Sequence, residues 1–136
     1  MMLGELIGEM RGKVTGSRVL PSEGIAPKTE ISFQEGGKIL GLEITDMGTF
    51  VSVARAVGGL FGEGQGVTMT KDSEAAVWAG QGVGRFTGHG SAVSFRGAIF
   101  YQTTSTKLAR LNSIAIVFEY EIDENGNTHA KFWEWK

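Results

Sequence analysis

The strongest constraint on the fold is a pair of glycine trios in which glycine recurs at every second residue. The trios are Gly62, Gly64 and Gly66, followed by Gly80, Gly82 and Gly84. Because side chains alternate between the two faces of a β-strand, each trio leaves one strand face bare. The polar residues 71–74 between the trios predict a turn, and the two strands therefore form a hairpin. We predict that Gly66 lies opposite Gly80, Gly64 opposite Gly82, and Gly62 opposite Gly84.

The bare hairpin face has two interpretations. It can give a barrel room to coil tightly, or to receive an aromatic side chain from a facing strand. Alternatively, it can form a smooth floor for a ligand or for the backbone of a partner. Glycine occurs 21 times in 136 residues, whereas proline occurs only twice. Because glycine is about twice as frequent as the usual ~7%, we expect a strongly coiled sheet with bulges and close backbone contacts.

Strand patterns extend along the whole chain. Nine segments have β-branched and aromatic residues in strand-like runs: 5–20, 28–34, 38–47, 49–57, 61–70, 75–85, 92–103, 114–122 and 128–135. Gly8, Gly12 and Gly16 predict bends or bulges in the first. Residues 52–60 could be helical, although their valines favour a strand, and residues 105–112 predict one short helical turn. We therefore predict a single all-β domain over residues 1–136, a small closed or nearly closed antiparallel β-barrel of about eight strands.

A second hairpin is predicted at the end of the chain. Residues 123–127 form a turn signal that contains Gly126. A type I turn with a bulge at this glycine pairs residue 121 with 129, 119 with 131, and 118 with 132. This register places opposite charges on one face and the apolar residues Ile116, Phe118, Tyr120, Ile122 and Phe132 on the other. It leaves Trp133 and Trp135 on the charged face.

Composition excludes several classes of protein. The formal net charge is −2 with both signs interspersed, which argues against a nucleic-acid partner. The chain has no cysteine, so disulfides and thiolate metal sites are excluded. No apolar run approaches the ~20 residues of a membrane span, and the N-terminus lacks the pattern of a signal peptide. We expect a cytoplasmic protein without a membrane partner.

Two motifs suggest cofactors or metals but lack the required context. The stretch GQGVG at residues 80–84 resembles a dinucleotide fingerprint, but the third glycine and the following helix are missing. His89 and His129 could form a metal site with Glu119 or Glu121, although nothing in the sequence brings the two histidines together. We predict no cofactor and no metal.

The strand 92–103 supplies most of the candidate ligand-binding residues. Arg96 lies in the middle of this strand, where a charge is unusual unless it is exposed or paired. It either pairs with Glu119 on the solvent face or anchors an anionic group inside the barrel. We name Arg96, Tyr101, Glu119 and Arg85 as candidates for ligand binding. Tyr101 and Arg96 lie on opposite strand faces and could share a cavity only across a bulge. No residue stands out as catalytic.

Three segments carry a resemblance to a known superfamily: GQGVGR at 80–85, FRG at 95–97 and VFEY at 117–120. In its order of strands and in these segments, the chain resembles the allene oxide cyclase barrel, whose superfamily includes bacterial and archaeal proteins of unknown function. The resemblance implies an eight-stranded barrel with an apolar cavity, often trimeric. No position here matches the catalytic glutamate of the cyclase, so the resemblance does not carry cyclase activity over.

We expect a barrel that binds a small, largely apolar ligand in its lumen or at its mouth. One alternative is a ligand-free assembly module, and another, implied by the resemblance alone, is a cyclase- or isomerase-like enzyme acting on a lipid-like substrate. A connected cavity of ~300 Å³ or more would favour binding. Several strands are apolar on both sides, around Val51 and Ile99 for example, and the tryptophans lie on a charged face. We therefore predict a homo-oligomer, either a dimer or a trimer.

Overall fold

The computed structural model describes residues 3–56, 58–88 and 90–136 and has eight strands closed into one antiparallel barrel in sequence order. The strands are β1 (Leu3–Val19), β2 (Lys28–Ile39), β3 (Leu42–Ala54), β4 (Leu60–Thr70), β5 (Ala75–Phe86), β6 (Val93–Thr103), β7 (Ile116–Ile122) and β8 (Asn127–Trp135). A 3₁₀ helix (Ala109–Ser113) lies between β6 and β7. The predicted all-β barrel of about eight strands is confirmed.

Strands β2 and β3 replace three of the predicted segments. The break predicted after residue 34 does not exist, because Gly36 and Gly37 continue β2. The chain instead turns at Leu40 and Gly41, whose φ angles are 52° and 79°. Leucine rarely adopts a left-handed conformation, so no residue pattern at this position predicts a turn. Because β2 continues without a break to Ile39, the alternation of side chains extends through Glu35. The same alternation along β3 includes Asp46, and both side chains therefore face the lumen.

The predicted register of the β4–β5 hairpin is wrong by two residues. Gly64 pairs with Gly80 and Gly62 with Gly82, whereas Gly66 pairs with Trp78. The cause is a tight loop in which the Thr70 amide donates to the carbonyl of Glu74 at 2.8 Å. Ser73 closes this loop with a φ of 65°, a conformation more typical of glycine. A shift of two residues keeps every side chain on its predicted face, so the glycines still share one face.

The β7–β8 hairpin has the predicted register. Glu121 pairs with His129, Glu119 with Lys131, and Phe118 with Phe132. Gly126 has a φ of 80°, as a type I turn with a bulge requires. In β1, register irregularities between residues 14 and 16 on the β2 side, and between residues 6 and 8 on the β8 side, confirm the predicted bulges.

The two ends of the barrel differ. At the end that carries the β6–β7 connection, Leu108 and Leu111 are fully buried and close the lumen. The amide of Leu108 donates to the Ser105 hydroxyl at 3.3 Å, so the predicted helical turn is present. The opposite end carries the β1–β2, β3–β4, β5–β6 and β7–β8 loops and is the mouth of the barrel.

Val57, which the sequence placed in a strand, and His89 lie outside the described residues. Within the described part of the chain, no helix combines the length and the apolarity that crossing a membrane requires.

Candidate functional site

An aromatic inner cavity of about 70 Å³ lies in the lumen. Its lining includes Phe33, Phe50, Trp78, Phe95 and Tyr120. Their rings contact one another closely, with centroid distances of 5.4 Å for Phe33–Tyr120 and 5.5 Å for Phe50–Phe95. The volume is well below the ~300 Å³ that encloses a whole ligand, but it exceeds the ~15 Å³ needed by a single water molecule. The inner cavity therefore has room for the end of a ligand.

The two glycine trios on β4 and β5 make room for these rings. A Cβ atom on Gly66 would lie 2.4 Å from an indole carbon of Trp78, and one on Gly84 would lie 2.6 Å from the Phe95 ring. The glycines Gly62, Gly64, Gly80 and Gly82 line the inner cavity itself. The steric interpretation holds for these four as well, since a Cβ atom on Gly64 would lie 2.7 Å from the Cβ atom of Phe50 and one on Gly82 would lie 2.7 Å from the carbonyl oxygen of Arg96.

Two buried carboxyl groups face each other across β2 and β3. Glu35 and Asp46 are direct partners in the strand register, and both line the inner cavity. Each is only 5% exposed. Because partners on adjacent strands have Cβ atoms about 5 Å apart, the charge of Asp46 acts on Glu35.

Each carboxyl group receives hydrogen bonds from neutral side chains. The Thr128 hydroxyl donates to Oε2 of Glu35 at 2.6 Å. The Trp78 indole Nε1–H and the Thr68 hydroxyl both donate to Oδ1 of Asp46 at 2.8 Å. Such bonds reduce, but do not remove, the cost of burying a carboxylate without a cation.

Gly12 is what allows Thr128 to reach Glu35. It lies on β1 between them and pairs with both residues. A Cβ atom on Gly12 would lie 1.9 Å from the carbonyl oxygen of Gln34. The close approach of β1 and β2 at this point therefore requires glycine.

Burial determines the protonation of the acid pair. It raises the pKa of Glu35 from 4.5 to about 7, with the Thr128 hydrogen bond acting against the shift and the charge of Asp46 adding to it. Burial also raises the pKa of Asp46, against the hydrogen bonds from Trp78 and Thr68. At neutral pH, Glu35 is therefore close to half protonated and can either donate or accept a hydrogen bond.

Two tyrosine hydroxyl groups complete the polar lining. Tyr101 is 4% exposed and Tyr120 is 8% exposed. Neither hydroxyl oxygen has a hydrogen-bond partner within the described residues. Burial, together with the charges of Asp46 and Glu35, raises the pKa of both phenols, so both remain neutral. Contacts with Thr68 at Tyr101 and with Thr128 at Tyr120 act against the shift, although neither contact has the geometry of a hydrogen bond. Unpaired buried hydroxyls are uncommon and need an explanation.

A second, larger pocket of about 360 Å³ lies at the mouth of the barrel. Its wall combines apolar side chains with short polar ones, among them Val14, Ile31, Leu60, Phe86, Ser17, Thr29 and Ser52. Phe95 lines both this mouth pocket and the inner cavity. The two spaces are therefore separated by little more than the aromatic layer.

The structure does not bring the four predicted ligand-binding residues together. Tyr101 faces the lumen, whereas Arg96, Glu119 and Arg85 lie on the outside. Arg96 pairs there with Glu119 at 3.7 Å and with Glu121 at 3.8 Å. This is the solvent-face arrangement that the sequence offered as one of two interpretations. A role of these residues in binding stays a prediction.

Sequence reasoning missed Glu35, Asp46 and Thr128. A signal existed, because Glu35 has the same strand parity as the buried Phe33 and Ile39. The supposed break after residue 34 concealed that parity. Within the described ranges, no three His, Cys, Asp or Glu side chains are grouped so as to hold a metal ion. His129 instead contacts Glu9 on the outer surface at 2.5 Å.

Comparisons with known proteins give the fold without a function. No family model matches the chain, and no curated protein matches it significantly. A protein of unknown function from Clostridium acetobutylicum aligns with a TM-score of 0.81 at 14% identity, covering 96% of both chains. A conserved protein of unknown function from Rhodopseudomonas palustris has a TM-score of 0.81 at 11% identity and covers 98% of both chains.

A β-barrel-like protein from Acinetobacter baumannii has a TM-score of 0.80 at 13% identity, over 99% of this chain and 96% of that one. An enzyme from Penicillium herquei has a TM-score of 0.67 at 13% identity, over 98% and 97%. The allene oxide cyclase superfamily is not named among these four. At such identities the likeness concerns the fold alone: the chain is similar to β-barrel proteins of unknown function.

Proposed function

We propose that this barrel binds a small, largely apolar molecule whose body lies in the mouth pocket and whose end enters the inner cavity. The observation that supports this most directly is the position of Phe95, which lines both spaces. Ligand pockets are usually concave, lined by apolar and aromatic side chains, and supplied with a few polar groups that orient the ligand. The mouth pocket supplies the volume, and Glu35, Asp46 and the two tyrosines supply the polar groups.

Calorimetric titration with 2-phenylethanol tests the proposal, because this probe has an aromatic body and one short polar end. We expect saturable binding in the millimolar range or tighter. Ser17 lies exposed at the rim of the mouth pocket. The variant Ser17→Phe should weaken binding several-fold by filling that space, and the matched control Ser17→Ala should bind as the wild type does. The proposal would be contradicted if neither Ser17→Phe nor a cavity-filling Gly62→Ala changed the affinity for 2-phenylethanol.

A second candidate function is self-assembly through the outer surface. A groove of about 670 Å³ runs across β4 to β8 and the start of β1, with an apolar floor formed by Leu3, Phe61, Val83, Val117, Trp133 and Trp135. Trp135 is 55% exposed and Val83 is 53% exposed. Arg96 and Glu119 line the same groove, so the patch carries both signs of charge, as a self-complementary contact between two copies requires. We propose a second copy of the chain as the occupant.

Light scattering at micromolar concentration tests this assembly. A dimer or trimer has two or three times the chain mass of 14.6 kDa. Val83→Glu should convert it to monomer, because the new charge would be buried in an apolar contact. Val77→Glu is the matched control, since Val77 is equally exposed on the same strand but lies outside the groove. A wild-type mass of one chain at all concentrations would refute the proposal.

A further inference from the structure

The lumen carries acidic groups without any basic counterpart. Among the described residues, Glu35 and Asp46 are buried, whereas no lysine, arginine or histidine is. Basic residues such as Arg11 on β1 and Arg96 on β6 point outwards, with side chains that are 71% and 49% exposed. Every proton that leaves the acid pair therefore adds uncompensated negative charge to an interior of low dielectric constant.

The wall around this negative charge is aromatic. Phe33, Phe50, Trp78 and Tyr120 line the same inner cavity as the two carboxyl groups. The faces of aromatic rings carry partial negative charge and attract cations, most strongly where water is excluded. An apolar cation is the type of group that can contact such a wall while it also neutralises the acid pair.

The unpaired tyrosine hydroxyls add hydrogen-bond acceptors. Tyr120 lines the inner cavity, and the charges of Asp46 and Glu35 raise the pKa of Tyr101. Both residues are more than nine-tenths buried, and neither hydroxyl has a partner within the described residues. An ammonium group has N–H donors and no acceptor. An unpaired phenol oxygen and a neighbouring carboxylate can both accept hydrogen bonds from these donors.

We propose that the ligand of this barrel is an organic ammonium ion, with its charged end in the inner cavity beside Glu35 and Asp46 and its apolar body in the mouth pocket. This inference rests on the proposed lumen binding and specifies its ligand class. An anionic ligand would add negative charge beside two carboxyl groups, and a neutral alcohol would leave the charge of their ionised forms uncompensated. The small volume of the inner cavity limits the charged end of the ligand to a small group, such as a primary or methylated amine.

The affinity of the barrel for an ammonium ion should depend on pH. Asp46, Tyr101 and Tyr120 are the titratable groups that face Glu35, and the phenols remain neutral. Bound ammonium favours the ionised form of Glu35 and so lowers its pKa from about 7. An alkylammonium, like the side chain of lysine, stays charged from about pH 5 to pH 8. Affinity for the amine should therefore rise over this range, and binding near neutrality should release a proton.

Three probes with related aromatic bodies and different ends test the inference: 2-phenylethylamine, 2-phenylethanol and 3-phenylpropionate. At about pH 8, we expect the amine to bind at least about tenfold more tightly than the alcohol, and the carboxylate to bind most weakly. Glu35→Gln should remove most of the preference for the amine while affinity for the alcohol is kept, since the new amide oxygen can still accept the bond from Thr128. Glu63→Gln, at an exposed position on the outer face of β4, is the matched control and should leave all three affinities unchanged.

The outcomes separate the ligand class from lumen binding itself. If the alcohol binds as tightly as the amine at both pH 5 and pH 8, the ammonium inference is wrong and the proposed function stands. If none of the three probes binds, both are wrong. Should Glu35→Gln fail to fold, the wild-type protein decides: an amine affinity that is flat or falls between pH 5 and pH 8 overturns the inference.

Discussion

The barrel contains two pairs of carboxyl groups on opposite sides of its wall, and they differ in almost every physical respect. Glu35 and Asp46 point inwards, are 5% exposed, and receive hydrogen bonds from threonine and tryptophan. Glu119 and Glu121 point outwards, are nearly half exposed, and lie within 4 Å of Arg96. Strand parity alone decides which environment a glutamate meets, because successive side chains alternate between lumen and solvent.

The difference separates stabilising charges from costly ones. Exposed ion pairs such as Arg96–Glu119 contribute ~1 kcal/mol or less, and salt weakens them. Buried carboxyl groups without a cation reduce stability, and apolar residues of the same size would pack there at no such cost. Perturbed acids in a cavity are more common at functional sites than elsewhere. The inner pair is therefore the part of the molecule whose chemistry points to function.

The largest expected effect concerns the glycine that positions the inner pair. Gly12→Ala places a Cβ atom 1.9 Å from the Gln34 carbonyl oxygen, so β1 and β2 must separate. We expect a loss of about 3 kcal/mol in the free energy of unfolding, measured by chemical denaturation. Gly16→Ala on the same strand is the control, because its Cβ atom meets nothing within 4 Å. It should change stability by less than ~0.5 kcal/mol. Equal effects of the two variants would show that the close approach at Gly12 is unimportant.

The next effect is the pH dependence of stability. The folded protein binds a proton at Glu35 up to a pKa of about 7, whereas the unfolded chain releases it near the ordinary value of 4.5. Because the folded state holds more protons in this window, stability falls as the pH rises from about 4.5 to 7. Glu35→Gln removes the part of this dependence that Glu35 carries and should stabilise the protein by about 2 kcal/mol more at pH 8 than at pH 5.

The outer pair supplies the control for this measurement. Glu121→Gln, at a side chain that is 47% exposed, should leave the pH profile of the unfolding free energy close to that of the wild type. Chemical denaturation at a series of pH values compares the three proteins directly. A wild-type stability that rises between pH 5 and pH 7 would mean that Glu35 is ionised in the folded state.

The contrast between the two hairpins explains how much could be predicted from sequence. The β7–β8 register followed from Gly126, whose position in the turn is the one that glycine favours. The β4–β5 register was missed because Ser73 takes a left-handed conformation. The β2–β3 turn was missed for the same reason, at Leu40. Alternation and glycine content predicted the barrel, whereas left-handed residues other than glycine give no local signal.

The inner site was the harder part to predict. Tyr101 was identified because it alternates with apolar residues along β6. Glu35 and Asp46 become partners only when the turn between β2 and β3 is placed at Leu40 and Gly41. The reach of Thr128 across Gly12 joins residues 93 positions apart in sequence. Such a contact depends on barrel closure, which no local pattern encodes.

The smallest expected effect lies on the outside. Arg96→Met keeps much of the apolar length of the side chain and removes its charge, leaving Glu119 and Glu121 without their shared cation. Because the side chains of Arg96 and Glu119 are 49% and 43% exposed, water replaces much of the lost interaction. We expect a loss of less than ~1 kcal/mol in low salt, and less still at about 1 M salt, where the screening length is only ~3 Å.

A double-mutant cycle of Arg96→Met with Glu119→Gln measures the coupling. A coupling energy well above that value, insensitive to salt, would show that this ion pair is desolvated in solution. A second copy of the chain seated on the outer groove would have this effect, so the measurement also tests where the chain assembles.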